Sequence, residues 1–438
     1  LRRRADVGQI ARSSGGLRLG LFKSLSVRVL LGLILGLAIG AFAAAGGDPT
    51  VAKVIEGIEA FGGLWLNALR MTVIPLIFAI LVTGIAQVSD AAATGKLALR
   101  ALGWFLGLLL FGSLYSIAFA NGVLALWPVS PEGALALRAG APGTSIESAT
   151  PDFVAWVRSL APSNPVKAAA EDAVLPLVVF AIFTGFALTR LPAERGRPLV
   201  DIFQAIGDAM IIIVRWVLLA GPIGVFCLGL GVGLRAGVGA AGTLGHYIAV
   251  VSLTGLGITI IGYFLAVLVG RVPLGRWARA TGPVLATAFA TQSSLACLPA
   301  MIERSRDDLG VPQRIAGLVL PLAVAVFRMT SPVMNLAVAI FVAHIYGLEP
   351  TPLQYAGAVL VALAVSVGSV GLPGQVSFII SVGPICLALG LPIEILPILL
   401  AVEVAPDIFR TLGNVTGDMA VTSILAKDEP KTMEPEGA

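Results

Sequence analysis

Residues 403–418 read EVAPDIFRTLGNVTGD and lie within an otherwise apolar run from about Leu396 to Leu425. Measured from Asp407, the polar residues Glu403, Asp407, Arg410, Thr411, Asn414 and Asp418 stand at offsets −4, 0, +3, +4, +7 and +11. At about 100° per residue these positions share one helix face, within an arc of roughly 100°. Each charge at bilayer depth costs about 2.5–3.5 kcal/mol on insertion scales. Such a stripe is tolerated where it faces a protein-lined cavity, so the pattern predicts an intramembrane binding site.

The competing interpretation, a soluble amphipathic helix with a solvated polar face, conflicts with the rest of the chain. Of 438 residues, 57% are hydrophobic and 12% charged, about half the roughly 25% charged in ordinary globular domains. Mean hydropathy is +0.95, and apolar runs of spanning length recur. The chain reads as an all-α polytopic membrane protein. Its net charge of +4 follows from basic loops and gives no support to a nucleic-acid partner.

Eight spans are expected, near 24–45, 64–88, 99–126, 169–189, 203–232, 247–269, 315–346 and 393–425. Two further apolar segments are interrupted. The stretch 280–302 contains Thr291, Gln292, Ser293, Ser294 and Pro299, and the stretch 353–390 contains Gly368, Gly371, Pro373, Gly374 and Gln375. Irregular backbone at membrane depth belongs where protein or a water-filled cavity surrounds it, so both are expected to be re-entrant helical hairpins.

Loop charge orients the spans. Arg2, Arg3, Arg4, Arg12, Arg18 and Lys23 precede the first span, Lys96 and Arg100 follow the second, Arg190, Arg195 and Arg197 the fourth, and Arg271, Arg276 and Arg279 the sixth. The positive-inside rule then places both termini in the cytoplasm, with the protein in the cytoplasmic (inner) membrane. The basic N-terminus with its long apolar stretch from Leu25 is expected to be a first span, not a cleaved signal. The hairpins then enter from opposite faces, the inverted-repeat, midplane-site arrangement of secondary transporters. Cys227, Cys297 and Cys386 lack metal-ligand spacing and read as small hydrophobic fillers. His246 and His344, near span ends, read as snorkelling or capping residues.

The last-helix sequence FRTLGNVTGD, the hairpin tip TQSSLACLP and the second hairpin's GLPG resemble the dicarboxylate/amino acid:cation symporter family. RMTVIPLIFAILVTG and AGPIGVFCL resemble its second and fifth spans, so the similarity covers almost the whole chain. It implies an elevator-type transporter of eight transmembrane helices and two re-entrant hairpins, assembled as a homotrimer in the lipid bilayer. It divides the chain into a basic cytoplasmic N-terminus (1–23), scaffold spans one and two (24–98), the third span in the transport domain (99–128), an extracellular loop (129–168), scaffold spans four and five (169–235), the remaining transport domain (236–425) and a disordered tail (426–438).

The resemblance also assigns roles. Arg410 matches the ligand of the substrate's side-chain carboxylate, for which a planar guanidinium is suited. Asp407 matches the ammonium ligand, Thr411 and Asn414 match polar groups around the side chain and α-carboxylate, and Ser294 and Leu372 match the hairpin tips. Asp418 matches an ion-site carboxylate and is a candidate sodium ligand. The residues agree with this on their own terms: a guanidinium and a carboxylate one turn apart suit a zwitterion bearing a further acid. L-aspartate or L-glutamate is therefore the expected substrate. An internal Asp407–Arg410 ion pair is the competing use of the same two residues.

The seventh span departs from the family. Where the family has Asn-Met-Asp-Gly-Thr in an unwound, sodium-binding segment, this chain has Arg328, Met329, Thr330, Ser331 and Pro332. The third span has Phe105, Leu108 and Leu109 where hydroxyls complete a sodium site. Gln292 replaces an arginine, Val376 a glycine, and Leu336 stands where some relatives carry a proton-binding glutamate. Arg328 is accordingly expected to act as a tethered cation that makes binding sodium-independent, with protons as the coupling ion and Glu403, in its low-dielectric setting, as their carrier. The alternatives are a sodium-coupled dicarboxylate or amino-acid symporter with fewer sodium sites, and a substrate-sensing or channel-like protein. No organic cofactor is expected. An enzyme is excluded, since Asp407 and Asp418 lie about 16 Å apart along one helix, too far to share a proton.

Overall fold

Three prolines shape the centre of the molecule. The computed structural model describes residues 25–93, 95–140, 161–171, 173–236, 239–368 and 374–427, which are helical with no strand among them. The helices are α1 (Leu25–Gly46), α2 (Pro49–Ala93), α3 (Lys96–Leu126), α4 (Pro131–Gly140), α5 (Pro165–Ala170), α6 (Val174–Arg190), α7 (Ala193–Leu219), α8 (Gly221–Ala236) and α9 (Gly239–Phe264). After a π-helical turn, Leu265–Val269, come α10 (Leu274–Thr291), α11 (Ser294–Asp307), α12 (Gln313–Val326), α13 (Thr330–Tyr346), α14 (Pro352–Gly368), α15 (Gly374–Ala388), α16 (Leu396–Val402) and α17 (Val404–Lys427).

The expected spans at 203–232, 315–346 and 393–425 are each divided in two, as α7/α8, α12/α13 and α16/α17. In every case a proline stands at the second or third position of the later helix: Pro222, Pro332 or Pro406. It has no N–H for the carbonyl four residues back, at Leu218, Arg328 or Val402, and its ring crowds that carbonyl. The stretch 353–390 is likewise divided, into α14 and α15, and the expected tip with Leu372 lies outside the described residues. The expected loop 129–168 holds α4 and the start of α5.

Six segments among the described residues are long and apolar enough to cross a membrane: Arg28–Gly46, Pro49–Ser89, Lys96–Leu126, Ala193–Leu219, Ala241–Val269 and Gln313–Tyr346. Val174–Arg190, Gly221–Arg235 and Pro352–Ser366 are apolar but shorter. α17 is not among them, because it carries the charged stripe.

α10 and α11 are joined by Gln292 and Ser293 and pack against each other and against α17. Gln292 sits in the left-handed region at φ 50°, and the Ser293 hydroxyl caps α11 by accepting from Ala296 N–H at 3.3 Å.

Apolar burial forms two cores. One joins α1, α2 and α6–α8 to most of α13 and to α14–α16; the other joins α3, the end of α9, α10–α12 and the distal half of α17. Val402 belongs to the first core and Val415 to the second. The polar stripe of α17 therefore lies along the seam between them.

Candidate functional site

The stripe runs from Glu403 along α17 and faces the α12–α13 break and α9. Glu403 lies in the one-residue turn between α16 and α17, not on one continuous helix with the rest. Arg410 is buried, and all three of its guanidinium nitrogens are engaged. Nη2 meets Glu403 Oε1 at 2.6 Å, Nη1 donates to Asn335 Oδ1 at 2.7 Å, and Nε lies 3.3 Å from Asp407 Oδ1. The second Glu403 oxygen accepts from the Tyr247 hydroxyl of α9 at 2.6 Å. Asn335 passes the chain on, donating from Nδ2 to Ser331 Oγ at 3.2 Å. Removing charges from water costs several kcal/mol per ion, and only such complete pairing offsets it. In this arrangement Arg410 is held by the protein's own groups.

Thr330, the first residue of α13, ties the break to α17. Its N–H donates to Asn414 Oδ1 at 3.0 Å, and its hydroxyl lies 2.8 Å both from that oxygen and from the Arg410 carbonyl. Thr411 sends its hydroxyl back to the Asp407 carbonyl at 3.2 Å, so it braces the helix in this arrangement. Arg328 occupies the break itself, where its carbonyl accepts from Ser331 N–H at 2.8 Å. Its guanidinium is within electrostatic reach of Asp407, Asp418 and Arg410. Beside it Phe327 stacks on Phe105, with centroids 4.5 Å apart and planes 9° apart. Phe105 of α3 is thus committed to an apolar stack.

Asp418 is fully buried, and neither carboxylate oxygen has a hydrogen-bond partner. A bare buried carboxylate calls for a proton or a cation. Among the described residues no group of three His, Cys, Asp or Glu side chains could share a metal ion, so Asp418 would supply the one carboxylate to a cation that otherwise relies on carbonyls.

Of the residues singled out from the sequence, Glu403, Asp407, Arg410 and Asn414 converge through Thr330 and Asn335, with Arg328 and Asp418 on the same side. Ser294 begins α11 but makes no hydrogen bond to this group among the described residues. Sequence reasoning missed Asn335 and Tyr247. A lone amide within the buried run VMNLAVAIF was the available signal for the first; Tyr247, at the edge of an apolar span, offered none. His246 does not snorkel: it is buried, stacked 4.1 Å from Trp127 and edge-on to Phe341. The three cysteines are free and buried, as fillers are.

The family model described as the sodium:dicarboxylate symporter family matches residues 25–428. The chain is 27% identical to a proton/glutamate-aspartate symporter of Escherichia coli (strain K12), over 93% of each chain. It is 29% identical to the human neutral amino acid transporter B(0), over 94% of this chain and 81% of that one. It is 26% identical to a C4-dicarboxylate transport protein of Bacillus subtilis (strain 168), over 94% and 97%. These relatives are transporters, not enzymes.

Proposed function

Since the chain belongs to the sodium:dicarboxylate symporter family, we propose that it is an elevator-type symporter of aspartate or glutamate whose binding step is sodium-independent. Eight membrane passes, two re-entrant hairpins, a trimeric scaffold and an inner-membrane location with cytoplasmic termini are part of this proposal. The observation that carries it is the position of Arg328. A permanent cation in the α12–α13 break, in electrostatic reach of Asp407 and Asp418, supplies the positive charge that a bound sodium ion would otherwise bring. The stripe of Glu403, Asp407, Asp418 and Arg410 sums to −2, and Arg328 brings it to −1 before substrate arrives.

Arg410 is the substrate's side-chain partner, and Glu403 is its resident occupant. A substrate carboxylate exchanges for the Glu403 carboxylate on the same guanidinium, and a proton taken up by Glu403 completes the release. Asp407 then faces the substrate ammonium. A second reading rests on Asp418, whose unpartnered oxygens equally suit a sodium ion that couples transport of a dicarboxylate or amino acid.

Binding of L-aspartate to purified protein, with and without sodium in a choline background at fixed pH, separates the two. Equal affinity is expected, together with weaker binding in Arg328→Asn unless a cation compensates; unchanged affinity of that variant without sodium would overturn the reading. Steep sodium dependence would move the coupling to Asp418. No binding in either condition would remove the acidic amino-acid assignment.

A further inference from the structure

We infer that Thr330 is a positioning residue that fixes the rotation of the Asn414 amide, so that Asn414 offers its NH2 group to an anionic group of the substrate. The inference rests on the proposed substrate site and names a determinant of its specificity.

The argument starts from backbone chemistry. The break at Phe327–Met329 makes Thr330 the first residue of α13, so its N–H has no intrahelical acceptor. That N–H can only donate. The Asn414 atom 3.0 Å from it must therefore accept, which makes it the carbonyl oxygen and turns Nδ2 to the opposite side. The Thr330 hydroxyl reinforces the choice. It lies 2.8 Å from the same Oδ1 and 2.8 Å from the Arg410 carbonyl; that carbonyl sits inside α17 and has an intrahelical donor, so the hydroxyl's single proton goes to Oδ1. Asn414 and Thr330 are both buried, so water does not compete for these atoms.

Rotating the amide by 180° would set NH2 against the Thr330 N–H, two donors face to face, and would show a carbonyl oxygen to the ligand. Oxygen facing a carboxylate repels it; NH2 facing a carboxylate binds it. A residue two positions into the seventh-span departure, which cannot carry a carboxylate's charge, thus sets the polarity of a binding group on another helix.

The test is a double-mutant cycle of Thr330→Val and Asn414→Ala, read in L-aspartate affinity, uptake kinetics and thermal unfolding of the ligand-free protein. Thr330→Val removes the hydroxyl donor to Oδ1 and keeps the N–H donor, so it is expected to raise Kd and KM about threefold with maximal uptake little changed, and Thr330→Ser to restore both. In the Asn414→Ala background Thr330→Val is expected to add no further loss of affinity. Additive losses, or failure of Thr330→Ser to rescue, would overturn the inference. So would coupling in thermal stability alone with affinity unchanged, which would leave Thr330 a purely structural tie. If the parent protein binds neither L-aspartate, L-glutamate nor succinate, the substrate reading fails first and this role falls with it; thermal coupling would still report the Thr330–Asn414 bond.

Discussion

Glu403 accepts from Arg410 of α17 on one oxygen and from Tyr247 of α9 on the other, so losing its charge weakens both bonds at once. If Glu403 must take a proton to release Arg410, substrate binding strengthens as pH falls. One linked proton limits the effect to about tenfold per pH unit. Glu403→Gln is expected to bind L-aspartate with the same affinity at pH 6 and pH 8, while the parent protein weakens across that range; a retained slope in the variant would assign the proton elsewhere. Arg410→Lys tests the guanidinium itself. An ammonium cannot meet Asn335, Glu403 and Asp407 through a planar fork, and a lost charge-assisted hydrogen bond is worth about 1.5–3 kcal/mol. L-aspartate affinity is expected to fall by the corresponding factor in calorimetry. The sequence showed Glu403, Asp407, Arg410 and Asn414 on one face because helical spacing is a local property. It could not show Asn335 or Tyr247 as their partners, since those contacts join residues 75 and 156 positions apart.

At the scale of elements, proline and the left-handed turn decide where helices stop. Pro222, Pro332 and Pro406 were visible in the sequence, yet an apolar run looks the same whether or not a helix breaks within it. Periodicity therefore gave three uninterrupted spans where the chain divides. The α10–α11 turn was legible, because TQSS interrupts an apolar run and serine caps helices. Gln292 pays there for a conformation that a side chain disfavours by about 1–2 kcal/mol. Gln292→Gly is expected to raise unfolding free energy by about 1 kcal/mol and Gln292→Val to lower it, measured by thermal unfolding in one detergent. Equal stability of the two variants would mean that the turn does not hold this backbone in the membrane-extracted protein.

The whole molecule is two apolar cores meeting along a polar seam, and each core has its own way of closing. Composition and loop charge foretold many apolar helices, but neither could foretell which pack together. The first core depends on α1 lying directly on α8. A Cβ added at Gly32, Gly36 or Gly40 would run into the carbonyls of Pro222, Phe226 and Leu230 in turn, and Gly233 of α8 is equally tight against Leu37. Without a hydrophobic driving force between helices in lipid, such close backbone approach is what holds them together. Gly63 of α2 provides the comparison, because a Cβ there meets nothing within 4 Å. Both substitutions to leucine add the same apolar volume to a membrane helix. Gly36→Leu must force α1 from α8, and overpacking of this kind costs about 1–3 kcal/mol or more. It is expected to lower the temperature at which purified protein leaves the monodisperse peak on size-exclusion chromatography, with Gly63→Leu close to the parent. A Gly36→Leu protein as heat-resistant as the parent would show that the α1–α8 contact does not carry the first core, and that its stability comes from the other helices packed in it.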